Sequence, residues 1–432
     1  MDQRRPFCGR MVGTAITDEI VALCRGFGNN NKRNEMEEKQ PPLSKEVNGA
    51  SSLEQALVQS LNMDSWAPGY NFAEFYKRVE AEVQVSTQNE NFATAVIRKE
   101  VIPRIITMLP NELQQKANHQ FTVSEVEKAH LGLLFNGGTE ASDGTIVSHD
   151  TLPLTITQIG ICLVSYQGEQ GAYAHRIFRK DLQLKGEDPV KEILQLLEER
   201  RNRGTTGPAE ETTSAGRSIL AQRGLMAYAE RAILMEKATA RWRLGHGNPI
   251  PYELLTGYWA GREEMARAAI GLFKKIVEYK RFVFVPSATK RRELISIGNG
   301  LKPLEYLVID TAKTDILKII ENGGARAPMV GWQNEFAHQY GDDIVIGLFK
   351  ASTISPAYLF YAHRDYLQTA ALIAIADGVL QEHRGFPMLI DIADNICAAT
   401  FNAETFYSTI RNAYSQAGQP FRYLGERETR MR

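Results

Sequence analysis

Asp143-Gly144-Thr145 and, after a short polar link, Thr155-Ile156-Thr157-Gln158-Ile159-Gly160-Ile161-Cys162-Leu163-Val164-Ser165-Tyr166 form the stretch on which the fold turns. The long run is apolar and rich in β-branched residues. Turn material follows at Gln167-Gly168-Glu169-Gln170, then a second strand-like run from Gly171 to Phe178. Two such runs around a short polar turn predict an antiparallel hairpin. Asp-Gly alone is a common turn dipeptide, which would make Asp143-Gly144 a tight turn ahead of the hairpin. Its other reading places Asp143 at the start of the sheet with its carboxylate presented to a divalent ion, since hard cations prefer carboxylate oxygen.

Downstream, an amphipathic helix is expected from Pro189 to Arg203, a Gly/Thr/Glu-rich loop from Gly204 to Ala215, and a long helix from Arg217 to about Leu244. In that long helix Ile219, Leu220, Leu225, Met226, Ala229, Ile233 and Leu234 recur at helical spacing. Gly245 to Gly257 reads as a loop, Glu263 to Tyr279 as a helix and Phe282 to Pro286 as a strand. Leu304 to Asp310, Ile344 to Phe349 and Ala357 to Tyr361 read as further strands. Tyr366 to Leu380 is mixed and apolar, Phe386 to Ala399 is helical, and a last helix runs from Ala403 to about Ala417. A hairpin followed by strands alternating with helices predicts an α/β fold with one mixed sheet and flanking helices.

Upstream the character differs. Residues 1–28 form a short mixed segment with one small helix from Thr17 to Arg25, and residues 29–51 are polar and read as a flexible linker. Ser52 and Gln55 make a capping-box pair, helices follow at Phe72 to Val85 and Phe92 to Met108, and Thr122 with Glu125 caps another helix reaching about Phe135. The expected division is therefore an α-helical arm over residues 52–136 and a sheet-bearing domain over residues 137–432.

Composition narrows the function classes. The chain has 432 residues with 50 Lys and Arg against 51 Asp and Glu, a net charge of −1. That balance excludes a globally basic nucleic-acid binder, so any grip on phosphates must come from a local basic patch, a metal or a partner. Cys8, Cys24, Cys162 and Cys397 have no metal-ligand spacing and read as reduced thiols. No stretch approaches about 20 apolar residues, so no membrane span is expected and a cytoplasmic location is.

Three carboxylates stand out. Glu230 lies midway along the long helix, with Met226 and Ile233 one turn away on either side. Near the C-terminus, Gly385-Phe386-Pro387-Met388-Leu389 is followed by Ile392-Ala393-Asp394. An Asp on an apolar helix is costly to bury alone, so Asp394 is either exposed or meets a cation, with Asp391 on a neighbouring face. With Asp143, these residues could converge in space on one divalent-metal site.

The motifs in this order resemble the NurA nuclease family, over roughly Asp143 to the C-terminus. The resemblance implies an RNase H-like fold related to the PIWI domain of Argonaute, a homodimer, and Mn²⁺- or Mg²⁺-dependent cutting of DNA beside a HerA-type hexameric ATPase. The family's first motif, Asp-Gly-Ser or Asp-Gly-Thr, matches Asp143-Gly144-Thr145. Its helical Glu, downstream of an Arg, matches Glu230 with Arg223. Its final Gly-Tyr-Pro, with Ala-His seven and eight residues after the Tyr, matches Gly385-Phe386-Pro387 and Ala393-Asp394, with Tyr replaced by Phe and His by Asp. A second family Asp falls where this chain has His246, in the turn His246-Gly247-Asn248-Pro249-Ile250; Glu253 is an alternative ligand.

The resemblance thus implies catalytic roles for Asp143, Glu230 and Asp394, and a metal set of those three with His246. A two-metal mechanism, with carboxylates bridging ions about 4 Å apart, would follow. Basic residues expected along the phosphate backbone are Arg176, Arg179, Arg223, Lys290, Arg291 and Arg292. The biological setting would be DNA end processing in repair, or defence against invading DNA. Because His246 and Phe386 depart from the pattern, a nuclease-like adaptor that no longer cuts is the competing expectation. Action on RNA is a third.

Overall fold

The computed structural model describes residues 57–58, 61–63, 72–150, 154–179, 190–191, 194, 219–256, 263–287, 291–321 and 329–421. The expected segments 1–28 and 29–51, the Ser52 capping box and the loop from Gly204 to Ala215 lie outside these residues. Of the helix expected from Pro189, only Val190, Lys191 and Leu194 are described, and they are helical.

The first long element is helix α1 (Phe72–Val96), which runs without a break through a π-helical turn (Ile97–Val101) into α2 (Ile102–Met108). The sequence suggested two helices separated around residues 86–91. That stretch is polar but free of Gly and Pro, and on an exposed helix nothing forces an interruption. Pro103 lies just after the π turn; in a continuous helix its missing N–H removes one backbone bond, and the widened turn lies next to that gap. A short α3 (Asn111–Gln114) and strand β1 (Asn118–Gln120) follow. Helix α4 (Val123–Ala129) opens on the expected capping box: Glu125 N–H donates to Thr122 Oγ1 at 3.3 Å, and Thr122 N–H donates to Glu125 Oε2 at 2.8 Å.

The hairpin is as expected: β3 (Thr155–Ser165) and β4 (Gly168–Arg179) pair antiparallel. Ahead of them runs β2 (Thr139–Asp150), a long strand paired to β3 along its length. Asp143-Gly144 is therefore not a turn; it sits within β2, opposite Cys162 and Ile161. Helix α5 (Ile219–Glu236) ends earlier than expected, and Trp242–His246 forms strand β5 instead of its last turns. After the short α6 (Tyr252–Thr256) come α7 (Glu263–Tyr279) and β6 (Phe282–Val285). The chain continues through α8 (Arg292–Gly298), β7 (Glu305–Thr311), α9 (Ala312–Ile319) and α10 (Met329–Tyr340). It then forms β8 (Ile344–Lys350), β9 (Ala357–His363), α11 (Leu367–Val379), α12 (Met388–Thr400) and α13 (Ala403–Gln416).

All nine described strands join one mixed sheet, in the order β1-β7-β8-β9-β6-β5-β2-β3-β4. β2, β3 and β4 form an antiparallel meander, β5 lies parallel to β2, and β6 lies parallel to β5. The remaining neighbours pair antiparallel. Every residue of β3 is buried. Both of its faces are covered, which is why its sequence is a continuous apolar run and not a strict alternation. Leu163 belongs to one core with Leu234 of α5 and Phe273 of α7; Val164 belongs to the other, with Ile373 of α11 and Ala393 of α12. Helices α5 and α12 thus pack on opposite faces of the meander. Ile97, Val101 and Ile105 enter the first core and β1 enters the sheet, so the sheet-bearing unit starts before residue 137. Phe72, Phe75, Tyr76, Val83 and Phe92 of α1 remain exposed. Among the described residues no helix is long and apolar enough to cross a membrane.

Candidate active site

The parallel pairing of β2 with β5 ends at Ser142 and Gly245. The next residue on each strand is a candidate ligand, Asp143 and His246, and there His246 Nδ1 lies 3.4 Å from Asp143 Oδ1. Crevices beyond the carboxyl ends of parallel strands are common ligand sites in α/β sheets, because the diverging strands expose side chains from both sides. Gly247 follows with a φ of 83°, a left-handed conformation that glycine takes without strain, and the turn it opens runs along the crevice, which Gly247, Asn248 and Glu253 border.

Glu230 reaches the same place from α5. A Cβ built on Gly144 would stand 2.6 Å from Glu230 Oε1 and 3.0 Å from its Cγ. Glycine at 144 therefore leaves room for Glu230 to approach the strand; a side chain there would have to displace Glu230 and Ile161 Cδ1, which would lie at 2.7 Å. Ser142 Oγ donates to the Glu230 carbonyl oxygen at 3.3 Å and ties the helix to β2.

The fourth residue comes from the other face of the sheet. Asp394 on α12 lines, with Asp143, Glu230 and His246, one cleft of about 580 Å³. Glu253 and Asp391 also border it. Asp391 is held by Arg384, which pairs with its carboxylate, and by Gln381 Nε2 at 2.7 Å. Phe386, where the motif has a tyrosine, is buried and meets the His246 ring edge-on at 6.1 Å between centroids.

The charges in this cleft strain against one another. Burial, helped by the charge of Asp143, pushes Glu230 up to about 7 even though Arg231 acts in the opposite direction. Burial would lower His246, but its bond to Asp143 and the charges of Asp143 and Glu230 more than offset that and hold it above its ordinary value. Asp394 has an exposed surface, yet partial burial and then Asp143 raise it as well. A divalent cation would relieve this crowding, and three carboxylates with one imidazole are a donor set suited to Mn²⁺. By chemistry the residues fit such an ion. In the rotamers present, no three His, Cys, Asp or Glu side chains among the described residues converge closely enough to hold one.

Sequence reasoning missed Arg231. It is fully buried, and its guanidinium donates to the carbonyl oxygens of Ala227, His246 and Asn248 as well as to Glu230 Oε2. Its Cζ also lies 5.5 Å from the centroid of the Phe284 ring. One side chain therefore fixes both the Glu230 helix and the turn after β5. The signal in the sequence was an arginine four residues after Ala227 and three before Leu234, both on the core-facing side of α5.

No protein-family model matches this chain, and no curated protein matches it. Solved structures similar to it are NurA nucleases, together with an endonuclease V. The NurA nuclease from Sulfolobus solfataricus is 8% identical with a TM-score of 0.41, covering 79% of this chain and 98% of that one. NurA bound to dAMP and manganese is 10% identical with a TM-score of 0.35, covering 68% of this chain and 92% of that one. Endonuclease V of Ciona intestinalis, in complex with a 24mer DNA containing an inosine followed by a ribo-adenosine, is 12% identical with a TM-score of 0.25. That match covers 61% of this chain and 85% of the other.

Of the basic residues expected on the phosphate path, Arg176, Arg223 and Arg291 do not line the cleft. Arg176 is exposed on β4 and bonded through Nε to Gln158 at 2.8 Å, and Arg223 is exposed on α5. Arg291, just before α8, pairs with Asp315 of α9 at 2.6 Å. Lys290 and the side chains of Arg179 and Arg292 lie outside the described residues. Among the described residues, the arginines that border the cleft are the buried Arg231 and the exposed Arg384.

Proposed function

We propose that this chain is a divalent-metal-dependent deoxyribonuclease with an RNase H-like catalytic core. The observation that carries the reading is the meeting, in one cleft where β2 and β5 part, of Asp143, Glu230, His246 and Asp394 from four different elements. The strand order β4-β3-β2-β5-β6, a meander followed by two parallel strands, supports the RNase H-like assignment.

In this reading Asp143, Glu230, His246 and Asp394 would hold a pair of divalent ions, Mn²⁺ or Mg²⁺. When bound, such ions acidify water and offset charge building on the phosphate oxygens. Water adds to phosphorus in line and the bond to the departing sugar oxygen breaks, leaving a phosphate monoester and a hydroxyl. The protein's share is to hold charge and geometry. Asp143 receives His246 through Nδ1, which leaves Nε2 as the imidazole's remaining donor. Glu230 must shed its proton to act as a ligand. Arg384, on the rim over Phe386, is placed to receive a substrate phosphate. A HerA-like hexameric ATPase, a second copy of the chain, and a role in DNA end processing or defence complete the reading.

The test is degradation of end-labelled linear DNA with Mn²⁺ by the wild type and by Asp143→Ala, each alone and with the ATPase. Cutting that the substitution removes supports the nuclease. A second reading, a non-cutting adaptor on the ATPase ring, is favoured by His246 and Phe386, which stand where the motif has Asp and Tyr. It predicts ring binding without Asp143-dependent cutting of DNA or RNA.

A further inference from the structure

Helix α12 carries Asp394, yet it has no cap of its own: the residue before it is Pro387, which contributes no side-chain hydrogen bond. The missing acceptor comes from elsewhere in the chain. Asp377 on α11 accepts the N–H of Leu389, in the first turn of α12, through Oδ2 at 2.9 Å. Its other oxygen accepts the hydroxyl of Tyr166, which immediately follows β3. Tyr166 is itself set edge-on against Phe135, with ring centroids 5.1 Å apart. At the far end of α12 the thiol of Cys397 donates to the carbonyl oxygen of Gly160, also on β3, at 3.3 Å. The helix is thus fastened to β3 near both ends, and Asp394 lies between the two fastenings. β3 is the strand whose Cys162 pairs with Asp143.

The choice of a carboxylate is informative. Asp377 is completely buried, and burial pushes it up to about 7. Asparagine or serine would avoid that penalty, but each presents a single oxygen and could not accept from the Leu389 N–H and the Tyr166 hydroxyl through two separate oxygens. An acid that binds a phenol and a helix N-terminus together makes shorter, more directional bonds than a neutral cap, and so restricts sliding of the helix along the strand.

We propose that Asp377, with Tyr166, is a positioning residue: the pair fixes the register of α12 on β3 and thereby the place of the Asp394 carboxylate opposite Asp143. This rests on the nuclease reading of the cleft. The bridge does not touch substrate or the reacting atoms.

The test compares full-length wild type with Tyr166→Phe and Asp377→Asn, two near-isosteric variants. Amide hydrogen exchange is followed along α12 in the metal-free protein, and kcat and KM for DNA are measured with Mn²⁺. Local opening at the first turn of α12 should rise about tenfold in both variants while the amides of β8 keep their protection. In parallel kcat should fall about tenfold with KM for DNA within about twofold, the scale seen when outer partners of metal ligands are removed. Unchanged exchange at Leu389 and beyond, or a lower melting temperature with kcat intact, would overturn the proposal. If the wild type cuts nothing, the nuclease reading falls on its own; the exchange result then still decides whether the pair holds α12.

Discussion

His246 Nδ1 lies 3.4 Å from Asp143 Oδ1, one step past the last paired residues of two parallel strands. The contact joins the residue best suited to a hard cation to one that discriminates between cations. If the cleft holds a divalent ion as proposed, an imidazole beside the carboxylate would favour Mn²⁺ over Mg²⁺, the ion that takes oxygen ligands most strictly.

Replacing that imidazole should shift the preference. His246→Asp is expected to raise Mg²⁺-supported cutting about tenfold relative to Mn²⁺-supported cutting, whereas His246→Ala lowers both. Parallel titrations of the two metals in a DNA degradation assay check this. An unchanged Mg²⁺ to Mn²⁺ ratio in His246→Asp would place the imidazole outside the metal shell.

Arg231 is the cation that the cleft cannot lose. Arg231→Ala leaves Glu230 and three carbonyl oxygens without their donor, and breaking such a buried pair costs about 3–5 kcal/mol. Arg231→Lys keeps the charge but cannot span Ala227, His246 and Asn248 at once, and should recover only part of that. Urea unfolding midpoints of the three proteins would show the order wild type, Lys, Ala.

A pH dependence is expected far from the cleft. Asp310 on β7 is buried with no hydrogen-bond partner for Oδ2 among the described residues, and burial pushes it from an ordinary 3.8 up to about 6. Folding therefore favours its protonated form. The stability it contributes is fully present below about pH 3.8 and is lost as pH rises through about 6. Asp310→Asn should match wild type near pH 4 and exceed it at pH 8 by on the order of 2 kcal/mol. Denaturant titrations at the two pH values decide it; equal stability of variant and wild type at pH 8 would refute the assignment.

Arg384 gives the DNA-binding prediction. Its guanidinium already pairs with Asp391 at the cleft rim, and a phosphate would compete for it. Arg384→Ala should raise KM for DNA about tenfold with little change in kcat, and reduce the log–log salt slope of DNA binding by about 1, as for loss of one phosphate contact. An identical salt slope would mean that Arg384 serves only to hold Asp391.

Elements with a strong local signature were legible in the sequence. Helix α7 has the expected bounds, Glu263–Tyr279, and the Thr122 capping box forms both of its bonds. Strand β5 was not legible: Trp242 and Leu244 continue the apolar spacing of α5, and five residues become a strand only because β2 and β6 flank them. The four cleft residues were visible as motifs, yet their meeting depends on where β2 and β5 diverge, which no local pattern encodes. Arg231 and Arg384 escaped notice because nothing local separates a buried or cleft-facing arginine from a solvated one. The basic residues chosen instead, such as Arg176 and Arg291, have partners elsewhere.

The wide spacing of the cleft residues along the chain has a consequence for synthesis. Asp143 and Asp394 are separated by about 250 residues, and Asp394 sits on the penultimate described helix. At roughly 5–20 residues per second, a ribosome needs about 10–50 s to pass from one to the other. Throughout that interval the nascent chain carries Asp143, Glu230 and His246 in turn, but no α12 to pack against β3. In the proposed nuclease, a chain released before α12 is made would lack one of the four cleft residues, so cutting would be confined to molecules that have passed that point.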